Sequence, residues 1–201
     1  AVRLIRKLVS LGIIMIINTG NATPIAYCLS RYIGCNGPVI AENGGVIVYR
    51  GSVRILADRS RVLEAFRELQ KEFPGRVRET FTNRFRLADV SFSSDLSLDV
   101  IERFLSGRGV SVYSSGFAIH IMDENCDKGR ALLYALKMVG VEPGEVVSIG
   151  DSMLDLQMFR VSGFSVALSN SPVQLRDSAD LVVDEADGLG FCKALRTIFN
   201  V

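Results

Sequence analysis

The sequence predicts an α/β fold in which a parallel sheet carries helices on both faces and a second, antiparallel unit is inserted into the chain. Apolar runs alternate with amphipathic helices over about the first forty residues and again after residue 123. Between these regions, helices and strands follow the order αββαββ. The chain has 201 residues, of which 48% are hydrophobic, so it can form one large domain with a smaller insertion.

The first region is predicted to run from helix to strand to helix and to end in a hairpin. Apolar residues recur with helical spacing up to Gly12, which predicts an amphipathic helix that stops there. Residues 13–17 follow as a continuous apolar strand. Thr23 and Pro24 are typical of a helix N-terminus, with Thr23 as the N-cap, and this helix is predicted to reach about residue 33. A short strand and a hairpin complete the region, over residues 38–41, 46–49 and 53–56.

The inserted block, residues 58–122, has a rhythm of its own. Each of its helices is followed by two strands, and the strands are predicted over residues 77–82, 85–92, 110–113 and 117–122. Two similar αββ halves can form one four-stranded antiparallel sheet with both helices on one face, which leaves the other face free to cover a site. We therefore interpret the block as a cap domain, and residues 1–57 and 123–201 as one discontinuous core domain.

The last region alternates between helix and strand. Its strands are predicted over residues 146–149, 165–168 and 181–183. Its helices are predicted over residues 128–139, from about 153, from 172 and at the C-terminus. This alternation indicates a parallel sheet with helices on both faces, so we expect a Rossmann-like core.

Composition excludes several classes of protein. Lys and Arg total 23 and Asp and Glu total 22, and no basic block runs along the chain, so nucleic acid is not the expected partner. The longest apolar run, at residues 13–17, is far shorter than the roughly 20 residues of a membrane-spanning helix. The four cysteines form no C-x-x-C pair, which argues against a zinc site and a disulfide framework. No signal peptide is visible, so we expect a cytoplasmic protein.

Polar residues that follow apolar strands are the candidates for chemistry, because ligands of open α/β sheets bind beyond the carboxyl ends of the strands. Thr19 and Gly20 follow the first predicted strand. The threonine offers a hydroxyl, and the glycine lets backbone amides approach an anion.

Two carboxylates follow the strand at residues 146–149. Asp151 ends the strand and Asp155 lies about one turn into the next helix, so both can point at one spot. Close carboxylates repel each other unless a cation lies between them, and Mg²⁺ prefers such oxygen ligands. The alternative is that Asp151 caps the helix and Asp155 is an exposed acid favoured by the helix dipole.

Three further sets of side chains have a structural and a functional reading. Lys128 opens a helix, where the dipole disfavours a cation, so it either meets an anion or is solvated after Asp127. Arg84 and Arg86 alternate on one predicted strand, and they either bind a carboxylate or phosphate or are solvated edge-strand charges. His120, the only histidine, is either structural or lines the face of the cap.

Together these stretches resemble the haloacid dehalogenase-like phosphatases whose cap lies between the second and third motifs. The matching stretches are IINTGN, NGPVIAENGG, TNRFRLAD, SSGFAIHIM, DKGRAL and SIGDSMLDLQMF. They occur in the family's order, and the resemblance covers essentially the whole chain.

The resemblance implies a Mg²⁺-dependent phosphomonoester hydrolase that forms an aspartyl phosphate, with a small phosphorylated acid, 2-phosphoglycolate, as the expected substrate. It implies that Thr19 binds the phosphoryl oxygens, that Lys128 neutralises their charge, and that Asp151 and Asp155 hold Mg²⁺. A homodimer is left open. The candidate substrate-binding residues are Gly20, Asn21, Asn43, Gly44, Arg84, Arg86, His120 and Lys128.

The chain departs from the family in two places. The family's nucleophile is the first aspartate of a D-x-D-G-T motif on a central strand, and these 201 residues contain no such motif. Without that strand, the strands at residues 13–17 and 146–149 would present unpaired edges inside the core. We therefore expect a further strand and loop, about 25 residues, ahead of Ala1. Leu154 replaces the asparagine that usually precedes the second acid, which removes a polar group beside Asp155.

Two alternatives stay open. A related sugar-phosphate phosphatase would differ only in its cap residues. If the chain begins at Ala1, it would be a non-catalytic phosphate-binding protein of the same ancestry, because its motifs do not include the nucleophile.

Overall fold

The computed structural model describes all 201 residues of the chain. Its helices are α1 (Val2–Ser10), α2 (Thr23–Ile33), α3 (Arg59–Glu72), α4 (Leu98–Leu105), α5 (Lys128–Val139), α6 (Leu156–Val161), α7 (Val173–Arg176) and α8 (Asp187–Phe199). Its strands are β1 (Ile17–Asn18), β2 (Val39–Ala41), β3 (Val46–Tyr49), β4 (Ser52–Ile55), β5 (Val77–Glu79), β6 (Val90–Ser94), β7 (Val110–Ser114), β8 (Ile119–Asp123), β9 (Val147–Gly150), β10 (Phe164–Ala167) and β11 (Leu181–Val182). None of the helices combines the length and the apolar character needed to span a bilayer.

The strands form three sheets. The first has the order β1-β2-β3-β4, in which β1 and β2 are parallel and the other pairs antiparallel. The second has the order β11-β10-β9 and is parallel throughout. The third, β5-β6-β8-β7, is antiparallel and contains only strands of the inserted block. The parallel sheet region and the antiparallel four-stranded sheet are those predicted from the sequence.

Two separate hydrophobic clusters hold these layers together. One joins the first two sheets through α5 and α6, and its members include Ile40, Ile47, Leu132, Leu136, Met158, Phe159 and Ala167. The other lies inside the inserted block and joins α3 and α4 to its sheet, with Val62, Phe66, Leu69, Phe92, Ile101, Leu105 and Ile121. Both helices thus pack on one face of the antiparallel sheet, as predicted. The domain boundaries at residues 57/58 and 122/123 stay a prediction.

A groove separates the first two sheets, because β1 and β9 do not pair with each other. The β1/β9 groove has a volume of about 680 Å³, and 20 of its 24 lining residues are hydrophobic. Residues 12–18 line it on the side of β1 and residues 145–149 on the side of β9, while α5 and α8 contribute further apolar side chains. Two lining residues, Asn18 and Ser148, have a buried side-chain oxygen without a hydrogen-bond partner. The unpaired edges expected from the sequence are therefore present.

Three predicted strands differ by several residues from the observed ones. The strand predicted over residues 77–82 ends at Glu79. Residues 13–16 have no regular secondary structure, because the parallel pairing with β2 begins only at Ile17 opposite Val39 and the groove lies on the other side. The strand predicted over residues 85–92 begins at Val90 instead, and Phe81–Phe85 form a 3₁₀ turn. The cause is Asn83, whose buried Oδ1 accepts hydrogen bonds from the backbone N and the hydroxyl of Ser91. This long-range contact holds the chain in the turn and overrides the apolar alternation.

Candidate active site

Four segments meet at the carboxyl ends of β1 and β9. They are the β1 loop (residues 19–22), the 3₁₀ turn Glu42–Gly44, the start of α5, and the turn after β9. The backbone N of Asn43 donates to Thr19 O at 3.1 Å, and Nδ2 of Asn18 donates to Lys128 O at 3.0 Å. A Cβ at Gly44 would lie 2.2 Å from Asp127 O, so only glycine lets the turn approach the start of α5 so closely. The structure therefore brings together residues that are more than a hundred positions apart in the chain.

Lys128 and Asp155 form a buried ion pair. The distance from Lys128 Nζ to Asp155 Oδ1 is 2.6 Å, and the two residues are 8% and 4% exposed. The second oxygen, Oδ2, accepts from the backbone N of Asp151 and from the backbone N and hydroxyl of Ser152, at 2.9–3.2 Å. Asp155 thus fixes the lysine and the turn after β9 at the same time. Both of its carboxylate oxygens have partners within the chain, so the alternative that it is an exposed acid of the first helical turn is wrong, and its predicted role as a Mg²⁺ ligand stays a prediction.

Asp151 has the opposite environment, since it is exposed and its carboxylate has no hydrogen-bond partner in the chain. The predicted convergence of the two carboxylates on one cation is therefore not seen in the side-chain contacts. The structure also contains no cluster of three His, Cys, Asp or Glu side chains that could hold a metal ion. Asp151 can supply one ligand to Mg²⁺, but the residues present do not fit a complete site, and a further carboxylate is required.

The β1 loop presents a threonine hydroxyl whose proton has no acceptor within the chain. Thr19 Oγ1 accepts from the backbone N and the side-chain amide of Asn21, both at 3.2 Å, so its hydroxyl proton remains available to a ligand. A Cβ at Gly20 would lie 2.8 Å from the side-chain amide of Asn43, which packs on the loop. Thr19, Gly20, Asn21 and Asn43 are thus in contact with one another, and Gly44 brings the same turn against the backbone N of Lys128 at the start of α5.

Glu42 contacts this loop through its backbone N, which donates to Asn21 O at 3.1 Å, and nothing in the sequence pattern predicts the role of its side chain. It is 1% exposed, and its Oε1 accepts from the backbone N and hydroxyl of Thr23, at 3.0 and 2.6 Å. Thr23 is the first residue of α2 rather than its predicted N-cap, a position that Ala22 occupies without a side-chain hydrogen bond. Glu42 caps the helix from another segment of the chain, which leaves Ala22 free of that task.

A second buried polar cluster reaches the site from the inserted block. Arg86 Nη1 donates to Asp89 Oδ1 at 2.6 Å and to Gly20 O at 3.2 Å. Asp89 Oδ2 lies 3.0 Å from Nδ1 of His120, whose ring stacks on Tyr113 with 4.7 Å between ring centroids. Arg86 and His120 therefore share a carboxylate, and the histidine is held in a buried network.

Tyr113 extends this cluster to the core. Its hydroxyl is hydrogen-bonded to Nδ2 of Asn43, the side chain that packs on the β1 loop. Burial raises the pKa of the Tyr113 hydroxyl far above its usual value, and the negative charge of Asp89 adds to this shift, so the hydroxyl stays protonated. The sequence offers only a tyrosine in an alternating strand here, and nothing in that pattern predicts the contact with Asn43.

Arg84 is not part of this cluster. It is exposed in the 3₁₀ turn, with its guanidinium carbon 5.1 Å from the ring centroid of Phe81 and 6.0 Å from that of Phe85. The prediction that Arg84 and Arg86 share one face of a strand is wrong, because the backbone is not extended there. Arg84 is exposed to solvent and stacks on the rings of Phe81 and Phe85, whereas Arg86 is buried against the carboxylate of Asp89.

The chain is similar to known hydrolases along almost its whole length. A model of the haloacid dehalogenase-like hydrolase family matches residues 94–195. A phosphoglycolate phosphatase of Methanothermobacter thermautotrophicus is 36% identical over 196 residues, which cover 98% of this chain and 88% of that protein. A phosphoglycolate phosphatase of Archaeoglobus fulgidus is 35% identical over 196 residues, which cover 96% of this chain and 86% of that protein.

Solved structures show the same fold. The crystal structure of Thermoplasma acidophilum 0175 matches with a TM-score of 0.91 at 26% identity and covers 100% of this chain and 89% of that one. A haloacid dehalogenase-like hydrolase from Bacteroides thetaiotaomicron matches with a TM-score of 0.82 at 19% identity, covering 98% and 91% of the two chains, which supports the fold alone. The chain therefore belongs to the haloacid dehalogenase-like hydrolase family, and it is an enzyme of the hydrolase class.

Proposed function

We propose that this protein is a Mg²⁺-dependent phosphomonoester hydrolase that acts on a small phosphorylated acid, with 2-phosphoglycolate as its substrate. The observation that carries the proposal is the buried ammonium group of Lys128, which pairs with Asp155 in the turn after β9 while the backbone O of the same lysine accepts from Asn18 at the end of β1. The archaeal relatives named phosphoglycolate phosphatase, at 36% and 35% identity, support the choice of substrate.

In the proposed reaction the chain's own residues bind and orient the phosphoryl group. The Thr19 hydroxyl donates to a phosphoryl oxygen, and the amides of the β1 loop approach the others. Lys128, held in place by Asp155, offsets the negative charge of the phosphate and of the attacking carboxylate. Both groups are positioned before the substrate arrives, because each is anchored to the core.

The nucleophile is an aspartate on a strand that fills the β1/β9 groove. Such a strand would pair with β1 on one side and β9 on the other and join the two sheets. The apolar lining suits a buried strand, and the unpaired oxygens of Asn18 and Ser148 would meet its polar groups. Its last residue would lie between the β1 loop and Asp151, which is the position from which a carboxylate can reach a bound phosphate.

The reaction has two steps, which are transfer of the phosphoryl group to the aspartate and hydrolysis of the aspartyl phosphate. The aspartate oxygen bonds to phosphorus as the ester P–O bond breaks, and the leaving oxygen takes a proton from the second aspartate of the D-x-D-G-T motif, which recovers it from the water of the next step. Water attacks the resulting aspartyl phosphate, inorganic phosphate leaves, and the carboxylate is restored. When bound, Mg²⁺ would be held by Asp151 and the nucleophilic carboxylate, and it would neutralise the charge of the phosphoryl oxygens.

Arg86 is the candidate that selects the acid. Its recorded hydrogen bonds use Nε and Nη1, so Nη2 has no acceptor within the chain. A guanidinium next to the β1 loop suits a carboxylate on the substrate. The substrate roles of Arg84 and His120 stay predictions, and their environments favour a solvated role for the first and a buried role for the second.

The test uses the complete encoded polypeptide, verified by intact mass, with phosphate release from 2-phosphoglycolate as the readout. We expect turnover that EDTA abolishes and Mg²⁺ restores. A Lys128→Met variant should lose turnover, whereas Lys137→Met, later in the same helix, should keep it. Turnover without a metal would contradict the proposal. Phosphate binding without turnover would favour a non-catalytic phosphate-binding protein.

A further inference from the structure

We propose that Glu42 is a positioning residue that fixes the inserted block to the β1 loop and thereby sets the preference for substrates that carry a carboxylate. The part of this inference that concerns substrate preference rests on the proposed phosphatase function. The part that concerns the attachment of the inserted block depends on the fold alone and is tested independently of turnover.

Glu42 connects three segments that are distant in the chain. Its Oε1 accepts from Thr23, at the start of α2, while its Oε2 accepts from the backbone N of Leu87, Ala88 and Asp89, at 2.9, 2.7 and 3.3 Å. The three amides belong to the inserted block, just before β6. One carboxylate therefore fastens the inserted block to the helix that follows the β1 loop.

The charge of Glu42 is balanced by these donors rather than by a cation. No lysine, arginine or histidine forms an ion pair with it, although it is only 1% exposed. A buried carboxylate needs several hydrogen bonds to offset its lost hydration, and this one has five. Its backbone also has a positive φ of 51°, which is unfavourable for glutamate. The five hydrogen bonds therefore hold Glu42 in place despite a conformational cost.

Only a carboxylate can satisfy both sides. In a Glu42→Gln variant one of the two terminal atoms becomes an NH₂ group, which cannot accept. If the NH₂ group faces Thr23, that residue's backbone N–H loses its acceptor, and if it faces residues 87–89, three amides lose theirs. Glutamine keeps the size of the side chain, so the variant isolates the loss of acceptors.

The segment that Glu42 holds also presents Arg86 to the site. Arg86 precedes the three amides directly, and its Nη1 donates to Gly20 O in the β1 loop at 3.2 Å. A shift of residues 87–89 therefore moves the guanidinium relative to the loop. A substrate with a phosphate at the loop and a carboxylate at Arg86 depends on this spacing, whereas a substrate with only a phosphate does not.

The first experiment compares two substrates in wild type, Glu42→Gln and the control Glu102→Gln, whose side chain is exposed in α4. We expect the ratio of kcat/KM for 2-phosphoglycolate to that for ethyl phosphate to fall about tenfold in Glu42→Gln, mostly through KM, because the variant leaves a donor unpaired. Glu102→Gln should keep wild-type values with both substrates. For Glu42→Gln the readout is the ratio and not the absolute turnover, because Glu42 also supports the β1 loop, which both substrates use. An unchanged ratio overturns the proposal, including the case in which both substrates lose turnover equally.

The second experiment measures hydrogen–deuterium exchange of the peptide that covers residues 87–89, without substrate. We expect faster exchange in Glu42→Gln than in wild type and Glu102→Gln, and equal exchange overturns the fastening role. If wild type hydrolyses neither ester, the proposed function fails while this comparison still decides the role of Glu42. If Glu42→Gln does not fold, Glu42→Asp replaces it in both experiments, since it keeps the charge but shortens the reach.

Discussion

Replacement of Lys128 by methionine tests the buried ion pair that organises the site. Methionine keeps most of the length of the side chain and removes only the ammonium group. The Asp155 carboxylate, 4% exposed, is then left without a cation. Loss of one partner of a buried pair costs about 3–5 kcal/mol. Three hydrogen bonds to Oδ2, from Asp151 and Ser152, remain in the variant, so we expect the lower end, about 3 kcal/mol.

The assay is urea unfolding followed by circular dichroism, with a thermal scan beside it. For a chain of 201 residues the expected loss corresponds to a Tm lower by about 6–12 °C. Arg76→Met is the matched control, since the Arg76–Asp95 pair has a distance of 2.8 Å but side chains that are 50% and 69% exposed. We expect the control to cost about 0.5 kcal/mol or less. If Lys128→Met costs no more than Arg76→Met, the pair is solvated and the reasoning fails.

Three further outcomes follow from single contacts. Gly44→Ala should lower the free energy of unfolding by about 2 kcal/mol or more in urea titrations, because φ is +100° and the new Cβ would lie 2.2 Å from Asp127 O. The control Gly51→Ala, which has open space around it, should cost less. Although burial opposes it, hydrogen bonds from the amides of Asn125 and Asp58 and the charge of Arg61 hold the pKa of Asp123 below its usual value. The stability that this carboxylate contributes is present above about pH 4 and is lost as the pH falls through the lowered pKa. Asp123→Asn should therefore reduce the drop in Tm between neutral and acidic pH. An unchanged dependence of Tm on pH would contradict this. Tyr113→Phe removes the hydroxyl that is hydrogen-bonded to Asn43, and it should raise KM for 2-phosphoglycolate about tenfold in steady-state kinetics. An unchanged KM would show that the contact has no role.

Most of the fold could be predicted because apolar periodicity records which face of each element is buried. The alternation of helices and strands gave α5 (Lys128–Val139) at the predicted bounds, and the hairpin of β3 and β4 turns at Arg50 and Gly51, which both have positive φ. The 3₁₀ turn at Phe81–Phe85 could not be predicted, since it depends on the contact between Asn83 and Ser91. Such polar contacts between distant residues leave no periodic signal.

The candidate site was predictable in its location but only partly in its contacts. Thr19 and Lys128 follow from their place at the ends of strands and the start of a helix. The ion pair of Asp155 could not be predicted, because its partner Lys128 lies 27 positions earlier in the chain. The stretch ENGG was recognised for Asn43 and Gly44, yet the hydrogen bonds of Glu42 come from residues 19 and 45–47 positions away.

The central claim is that an aspartate on a strand in the β1/β9 groove is phosphorylated during turnover. The most direct measurement is an acid quench of the complete encoded protein during hydrolysis of 2-phosphoglycolate with Mg²⁺, followed by peptide mapping. We predict a hydroxylamine-sensitive phosphoryl group on a single aspartate, in a peptide whose backbone amides are protected from exchange as a paired strand. Steady turnover with no phosphorylated aspartate, or with the phosphoryl group on another residue type, would contradict the account.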